Sequence, residues 1–193
     1  MKFLLPLLLT LLSLPLSAQD TETTKPDPYA GRFTVLAGLT QPILLSGVNL
    51  AVTYFTPRLS FEYSHGQWLT YPAAIRDENL DRLHSPYSTG FGVGYRFTRA
   101  FDVRLEFKAN GYQADLPNGE PLRYTTYVIG AGAYYRFLLW QRVVIEPSVR
   151  FWPNLATTLP DDQHTYALPD GGTLTHQAND YGLFANVSLG WKF

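Results

Sequence analysis

The amino-acid sequence predicts an all-β protein: an eight-stranded antiparallel up-and-down transmembrane β-barrel, with short periplasmic turns and longer extracellular loops. Three observations predict it. Apolar and polar residues alternate with a period of two through eight separate segments after residue 31. The links between those segments alternate in length, long then short. Past residue 18 no apolar run approaches the length of a spanning helix. A chain that crosses a membrane with such a sequence must close into a barrel, since only helices and barrels satisfy every backbone group in lipid.

The chain reads in three parts. Lys2 opens a positive start, residues 3–16 are apolar, and Ser17 and Ala18 supply small residues, so residues 1–18 are expected to be a cleaved secretory signal peptide. The run is short for a membrane anchor and is interrupted by Pro6 and Pro15. Residues 19–31, rich in Thr, Pro and Asp, read as a flexible periplasmic lead-in. Residues 32–193 form the barrel domain.

Each strand is justified by its two faces. Phe33, Val35, Ala37 and Leu39 oppose Arg32, Thr34 and Gly38; Val48, Leu50, Val52 and Tyr54 oppose Asn49, Ala51 and Thr53. Leu59, Phe61 and Tyr63 oppose Ser60, Glu62 and Ser64, and Phe91, Val93, Tyr95 and Phe97 oppose Gly90, Gly92, Gly94 and Arg96. Val103, Leu105 and Phe107 oppose Arg104, Glu106 and Lys108; Ile129, Ala131, Ala133, Tyr135 and Phe137 oppose Gly130, Gly132 and Arg136. Val143, Ile145, Val149 and Phe151 oppose Glu146, Ser148 and Arg150, and Tyr181 through Phe193 alternates without a charge on its apolar face. Pro147 breaks the pattern inside the seventh strand, and a bulge that shifts the later residues is the expected accommodation.

Links 56–58, 98–100 and 138–142 are short, whereas 40–46, 67–86, 113–123 and 153–179 are long. An even strand count then leaves both termini on the short-turn, periplasmic side. Three alternate strands end there on one pattern: Tyr95-Arg96-Phe97, Tyr135-Arg136-Phe137 and Trp191-Lys192-Phe193. Each would deliver rings to the membrane boundary and a cation to the interior.

Residues 32–193 resemble the small outer-membrane barrels of the OmpA/OmpX/OmpW type, through this strand pattern and the terminal Leu189-Gly190-Trp191-Lys192-Phe193. The resemblance implies that Trp191 and Phe193 are the assembly signal, read by the barrel-assembly machinery. It implies outer-membrane lipids as the standing partner, the cell outer membrane of a Gram-negative-type bacterium as the location, and a monomer. No peptidoglycan-binding domain is expected after Phe193.

Composition excludes several classes. Cysteine is absent, so neither disulfides nor a lipid-bearing cysteine hold the protein. A net charge of −1 provides no basic field for nucleic acid. No phosphate-cradling loop or nucleotide fingerprint is present, and no cofactor or metal is expected.

An eight-stranded barrel is just wide enough for side chains to fill. Its interior charge network should comprise Arg32, Glu62, Arg96, Arg104, Glu106, Lys108, Arg136, Glu146, Arg150 and Lys192, with Arg104, Lys108 and Arg150 meeting the three glutamates. Phe55, Tyr134, Trp152 and Phe184 fill the rest. The expected role is structural or loop-mediated contact around a plugged interior. The surplus of basic over acidic side chains inside keeps a porin-like reading, a narrow anion-passing pore, as the alternative. A lipid A-modifying enzyme comes third. Outer-membrane lipid A deacylases are of similar size but carry a His and a Ser one residue apart, and none of His65, His84, His164 or His176 has that spacing. His65 alone is expected at the rim of the lipid face. Asp161, Asp162, His164, Asp170, His176 and Asp180 read as a solvated acidic loop. An enzyme is not expected.

Overall fold

The computed structural model describes residues 26–72, 80–117, 119, 121–168, 171–178 and 182–193. The whole of the expected signal peptide lies outside the described residues, as do Asp170 and Asp180. The elements are β1 (Arg32–Gly38), α1 (Thr40–Leu44), β2 (Val48–Phe55), β3 (Leu59–Tyr71), β4 (Arg82–Arg96), β5 (Phe101–Asp115) and β6 (Pro121–Tyr135). They continue as β7 (Phe137–Leu139), β8 (Val143–Trp152), β9 (Asn154–Thr157), β10 (Gln163–Ala167), β11 (Thr173–Gln177) and β12 (Gly182–Lys192).

Eight antiparallel staves close into a barrel. Every neighbour along the chain pairs in turn, β12 pairs back to β1, and β8 pairs with both β12 and β6. β6 with β7 forms the sixth stave and β8 with β9 the seventh, while β10 and β11 make a separate hairpin.

The register fixes the shape. Starting at Phe137, cross-strand partners run through Ile145, Leu189, Ala37, Leu50, His65, Thr89 and Ala109 back to the same stave at Tyr127, an offset of ten residues. Ten rises of ~3.3 Å against eight strand spacings of ~4.8 Å tilt the staves by about 40°. On the outside, Tyr87, Phe91, Val93, Tyr95 and Phe97 of the fourth stave are exposed or half-buried. At that tilt the ten steps from Tyr87 to Phe97 rise roughly 25 Å, the height of a lipid-facing apolar band. Rings mark its lower edge, where Tyr95 lies 5.1 Å from Phe97, Tyr135 4.9 Å from Phe137 and Phe33 4.7 Å from Tyr54. Trp68, Tyr87 and Tyr127 mark the upper edge, Trp68 being among the most exposed apolar side chains.

Three features differ from the sequence expectation. The long links are shorter than predicted, because β3, β4, β5 and β6 continue past the band; only residues 72–81 and 116–120 remain between them. Periodicity hid this, since β3 and β4 exchange faces where Trp68 lies opposite Pro86. Ser60, Glu62, Ser64 and Gly66 point inward below that level, and Leu69 and Tyr71 above it. Trp68 takes a φ of 57°, and β4 shifts its register against β5 between His84 and Tyr87. The bulge expected at Pro147 is therefore at Pro86. Pro147 itself keeps its place: the seventh stave holds one register against the sixth on both sides of it, and only the ladder between Tyr135 and Phe137 is interrupted. Proline lacks the N–H to donate there, so it costs a bond without inserting a residue.

The first link, expected as an extracellular loop, is part of the wall. β1 ends at Gly38 opposite Ser188, whereas β12 continues upward to Gly182 against β8. The resulting notch is filled by α1, packed on β12 and β2. The Leu39 N–H donates to the Val187 carbonyl at 2.8 Å, and the Thr70 N–H to the Leu45 carbonyl at 2.6 Å. Gln41 and Leu45 turn inward while Ile43 and Leu44 face out.

Candidate functional site

The lumen is built chiefly on β5, whose inward positions place Asp102, Arg104, Glu106 and Lys108 one above another. Long side chains need room, and the facing stave supplies it with glycine. A Cβ at Gly94 would stand 2.7 Å from the Arg104 Cγ, and one at Gly90 2.5 Å from the Lys108 Cγ. The alternate glycines of β4 are thus the space into which the β5 charges extend.

Arg104 is fully buried at the centre. It pairs with Glu62 through Nη1, with Asp102 through Nε at 2.8 Å and with Glu146 through Nη2 at 2.9 Å. Its guanidinium also lies 3.7 Å from the centre of the Tyr134 ring. Arg136 bridges the same Asp102 and Glu146 from below. Above, the Trp152 indole N–H donates to Glu106 at 3.0 Å, and Lys108 donates to Ser64 at 2.8 Å with Glu106 3.8 Å away. Arg150 lies over Tyr134 and Trp152 and donates to Ser148 at 3.1 Å. Phe184 stacks on Trp152 at 5.8 Å.

The end carrying the termini is stopped from outside the strands. Residues 26–31, the described part of the expected lead-in, lie across it, and Asp27 pairs with Arg96 at 2.8 Å. Lys192 donates to the Pro28 carbonyl at 3.1 Å. Tyr29 is buried with its ring 5.4 Å from Phe55 and beneath Arg136. Burial pushes its phenol up to about 12, so it stays neutral and acts as a stopper. A phenol pKa raised on folding contributes stability that is complete below its unfolded value of about 10 and lost as the pH rises through the folded one. Tyr29→Phe should therefore flatten the alkaline limb of a stability–pH curve between about pH 10 and 12, read by chemical denaturation.

The opposite end is closed by an apolar cluster that includes Leu69, Tyr71, Leu83, Tyr112, Leu159 and Tyr166. The hairpin β10–β11 folds onto it, with Tyr124 Oη and His176 Nε2 3.0 Å apart.

The structure places Glu62, Arg96, Arg104, Glu106, Lys108, Arg136, Glu146 and Arg150 inside, all buried. Arg32 is exposed and Lys192 only half-buried, so neither belongs to the interior network; both sit where the stave leaves the wall. Two acids were missed. Asp27 reads as part of a polar lead-in, and Asp102 stands beside a turn, although the inward parity of Arg104 extended by two residues reaches it. With them, five buried cations face four buried acids, Glu62, Asp102, Glu106 and Glu146, together with half-buried Asp27 on Arg96. Once half-buried Lys192 and Asp27 are both counted, the basic surplus that favoured an anion path shrinks to one. His65 stands on the outward parity of β3, paired with Leu50 and Thr89, one outward step below the Tyr87 level, while β3 itself runs on to Tyr71. Trp191 and Phe193 are exposed on the outer face at the lower edge. Among the described residues no group of acidic and histidine side chains could hold a metal.

No family model and no curated protein matches the chain. Among solved structures it is similar to Ail, the attachment invasion locus protein of Yersinia pestis, at 13% identity and a TM-score of 0.49, over 85% of this chain and 99% of that one. It is similar also to the N-terminal β-barrel domain of Pseudomonas aeruginosa OprF, at 16% identity and a TM-score of 0.39, over 85% of this chain and 98% of that one. At these identities and scores the likenesses carry no argument about function.

Proposed function

We propose that the protein is an outer-membrane barrel with a sealed lumen, which serves the envelope structurally and presents a rigid platform for contact outside the cell. One observation carries the reading: the polarity of a water-soluble fold is inverted. Charges fill the centre and exposed Phe, Leu and Val cover the waist. A lipocalin-like carrier would need its apolar face inside. Burying so many ions is costly and is repaid only by close pairing, which the ladder around Arg104 provides.

The sealed lumen rests on three stacked layers: the Tyr29 stopper, the paired charges and the apolar cluster beneath the hairpin. None leaves a charged path of one sign, so steady conduction is not supported. The four staves that rise past the band, with the hairpin packed on them, favour contact through the loop end; a folded surface loses little entropy on binding. The assembly signal assigned to Trp191 and Phe193, and the monomeric state, belong to the same proposal.

Single-channel recording of the refolded protein in planar bilayers tests the seal. The expected result is a quiet bilayer. Reproducible conductance steps that persist in the wild-type chain would establish a pore and contradict the sealed lumen.

A further inference from the structure

The rim at the end bearing the termini carries three cations on neighbouring staves. Arg142 leads into β8, Lys192 ends β12 and Arg32 opens β1. The register draws them together. The Lys192 N–H donates to the Arg142 carbonyl at 2.8 Å, and one residue on, the Phe193 N–H donates to the Phe33 carbonyl at 2.9 Å. Arg32 and Arg142 are the charges that act most strongly on the Lys192 ammonium, and Asp27 acts on it less. Asp27 is in any case held by Arg96 at 2.8 Å. Lys192 gives one donor to the Pro28 carbonyl at 3.1 Å and keeps two. The Arg32 and Arg142 side chains are exposed and make no hydrogen bond or ion pair among the described residues.

Like charges gathered on adjacent strands repel, and such an arrangement destabilises a sheet. Inside the barrel Arg104 and Arg136 gather around acids. At the rim the nearest acid already belongs to Arg96. The depth of the three cations follows from their neighbours. Lys192 comes straight after Trp191, and Arg142 straight before Val143, the cross-strand partner of Trp191. All three therefore lie within about 5 Å of the lower ring edge, on the side away from the apolar band. The turn 139–142 adds to this. Trp140 and Gln141 take φ of 47° and 68°, a left-handed pair usually left to Asn and Gly, and Trp140 stands 84% exposed at the boundary beside Arg142.

We propose that Arg32, Arg142 and Lys192 form a binding site for a phosphoryl anion. Two guanidinium forks and an ammonium offer donors to tetrahedral oxygens from three directions. Three positive charges also suit a multiply charged group better than a single carboxylate. The bound anion screens the three cations from one another, which is the contribution the chain itself does not supply. The phosphoryl group belongs to a lipid headgroup or to free phosphate. On the membrane reading above, on which this part rests, the cations lie at the depth of the headgroups of the terminal-side leaflet, which favours the lipid.

Calorimetric titration of the folded barrel in neutral detergent, at constant ionic strength, provides the test. The probes are inorganic phosphate, dihexanoyl phosphatidic acid, dihexanoyl glycerol and a triglutamate peptide. The expected result is one phosphatidic acid bound per barrel and no binding of the diacylglycerol. Arg32→Gln with Arg142→Gln should weaken phosphatidic acid at least about tenfold. Arg58→Gln, an exposed arginine on another turn of the same end, should leave it unchanged. Phosphatidic acid held at least about tenfold tighter than inorganic phosphate assigns the site to a headgroup, and equal affinities assign it to free phosphate; both uphold the site. A folded wild-type barrel without saturable binding, an Arg58→Gln loss equal to that of the double variant, or tighter binding of the peptide overturns it. Heat-dependent migration on SDS gels reports whether each sample is folded. A wild-type chain without any heat shift overturns the membrane reading and the headgroup source, and leaves the phosphate titration to decide the site.

Discussion

Replacing Arg104 with methionine should cost about 3–5 kcal/mol of folding stability, the largest effect of any single change in the lumen. The size follows from what is left behind. Glu62, Asp102 and Glu146 converge on this one guanidinium. Arg136 still reaches Asp102 and Glu146, whereas Glu62 keeps only the Thr53 hydroxyl at 3.4 Å. Arg150 and Lys108 act on Glu62 only from farther off, so a buried carboxylate without a directly paired cation has most of its desolvation cost uncompensated. Adding Glu62→Gln to Arg104→Met should recover part of the loss, because it removes the stranded charge. Arg32→Ala should lie within about 0.5 kcal/mol of wild type, since that side chain is exposed. Urea midpoints of the barrel folded into lipid vesicles read all three variants. An Arg104 variant as stable as the Arg32 variant would show that the ladder is not what holds the lumen.

Leu105→Arg separates a membrane wall from a wet one. Leu105 is 61% exposed on the outer face and sits near mid-height of the apolar band. On the surface of a water-soluble protein such a residue tolerates arginine within about 0.5 kcal/mol. At a bilayer midplane the same change should cost about 2–4 kcal/mol, because hydrocarbon cannot solvate a guanidinium. The comparison is internal: Trp140→Arg, on an exposed turn at the membrane edge, should cost about 0–1 kcal/mol. Equal, small effects at both positions would turn the reading toward a soluble barrel.

The staves were legible because a half-lipid, half-lumen strand must alternate strictly, and no packing detail relaxes that rule within the band. Above it the rule changes. Leu69, Tyr71 and Leu83 turn inward to form a core of their own, and the switch of face at Trp68 and Pro86 erases the phase that would have announced it. α1 was illegible for another reason. Five residues, Thr40 to Leu44, are too few to show a helical period, although apolar Ile43, Leu44 and Leu45 were unusual for a solvated loop. Inside, the parity of β5 was enough to place Arg104, Glu106 and Lys108 on one face. The partners were harder, because a charge pair across a barrel joins residues distant in sequence, as Arg104 and Glu146 are. Asp27 could not be assigned from its own segment, since only Arg96 gives that acid a reason to be held.

Fractionation of cells expressing the chain, followed by SDS gels of the outer-membrane fraction with and without boiling, tests membrane placement and barrel closure together. A closed barrel offers no strand edge from which to unzip, so it stays folded in SDS until heated. The protein should be found in the outer membrane, and its band should move on boiling. A soluble periplasmic protein whose migration ignores heat would contradict both.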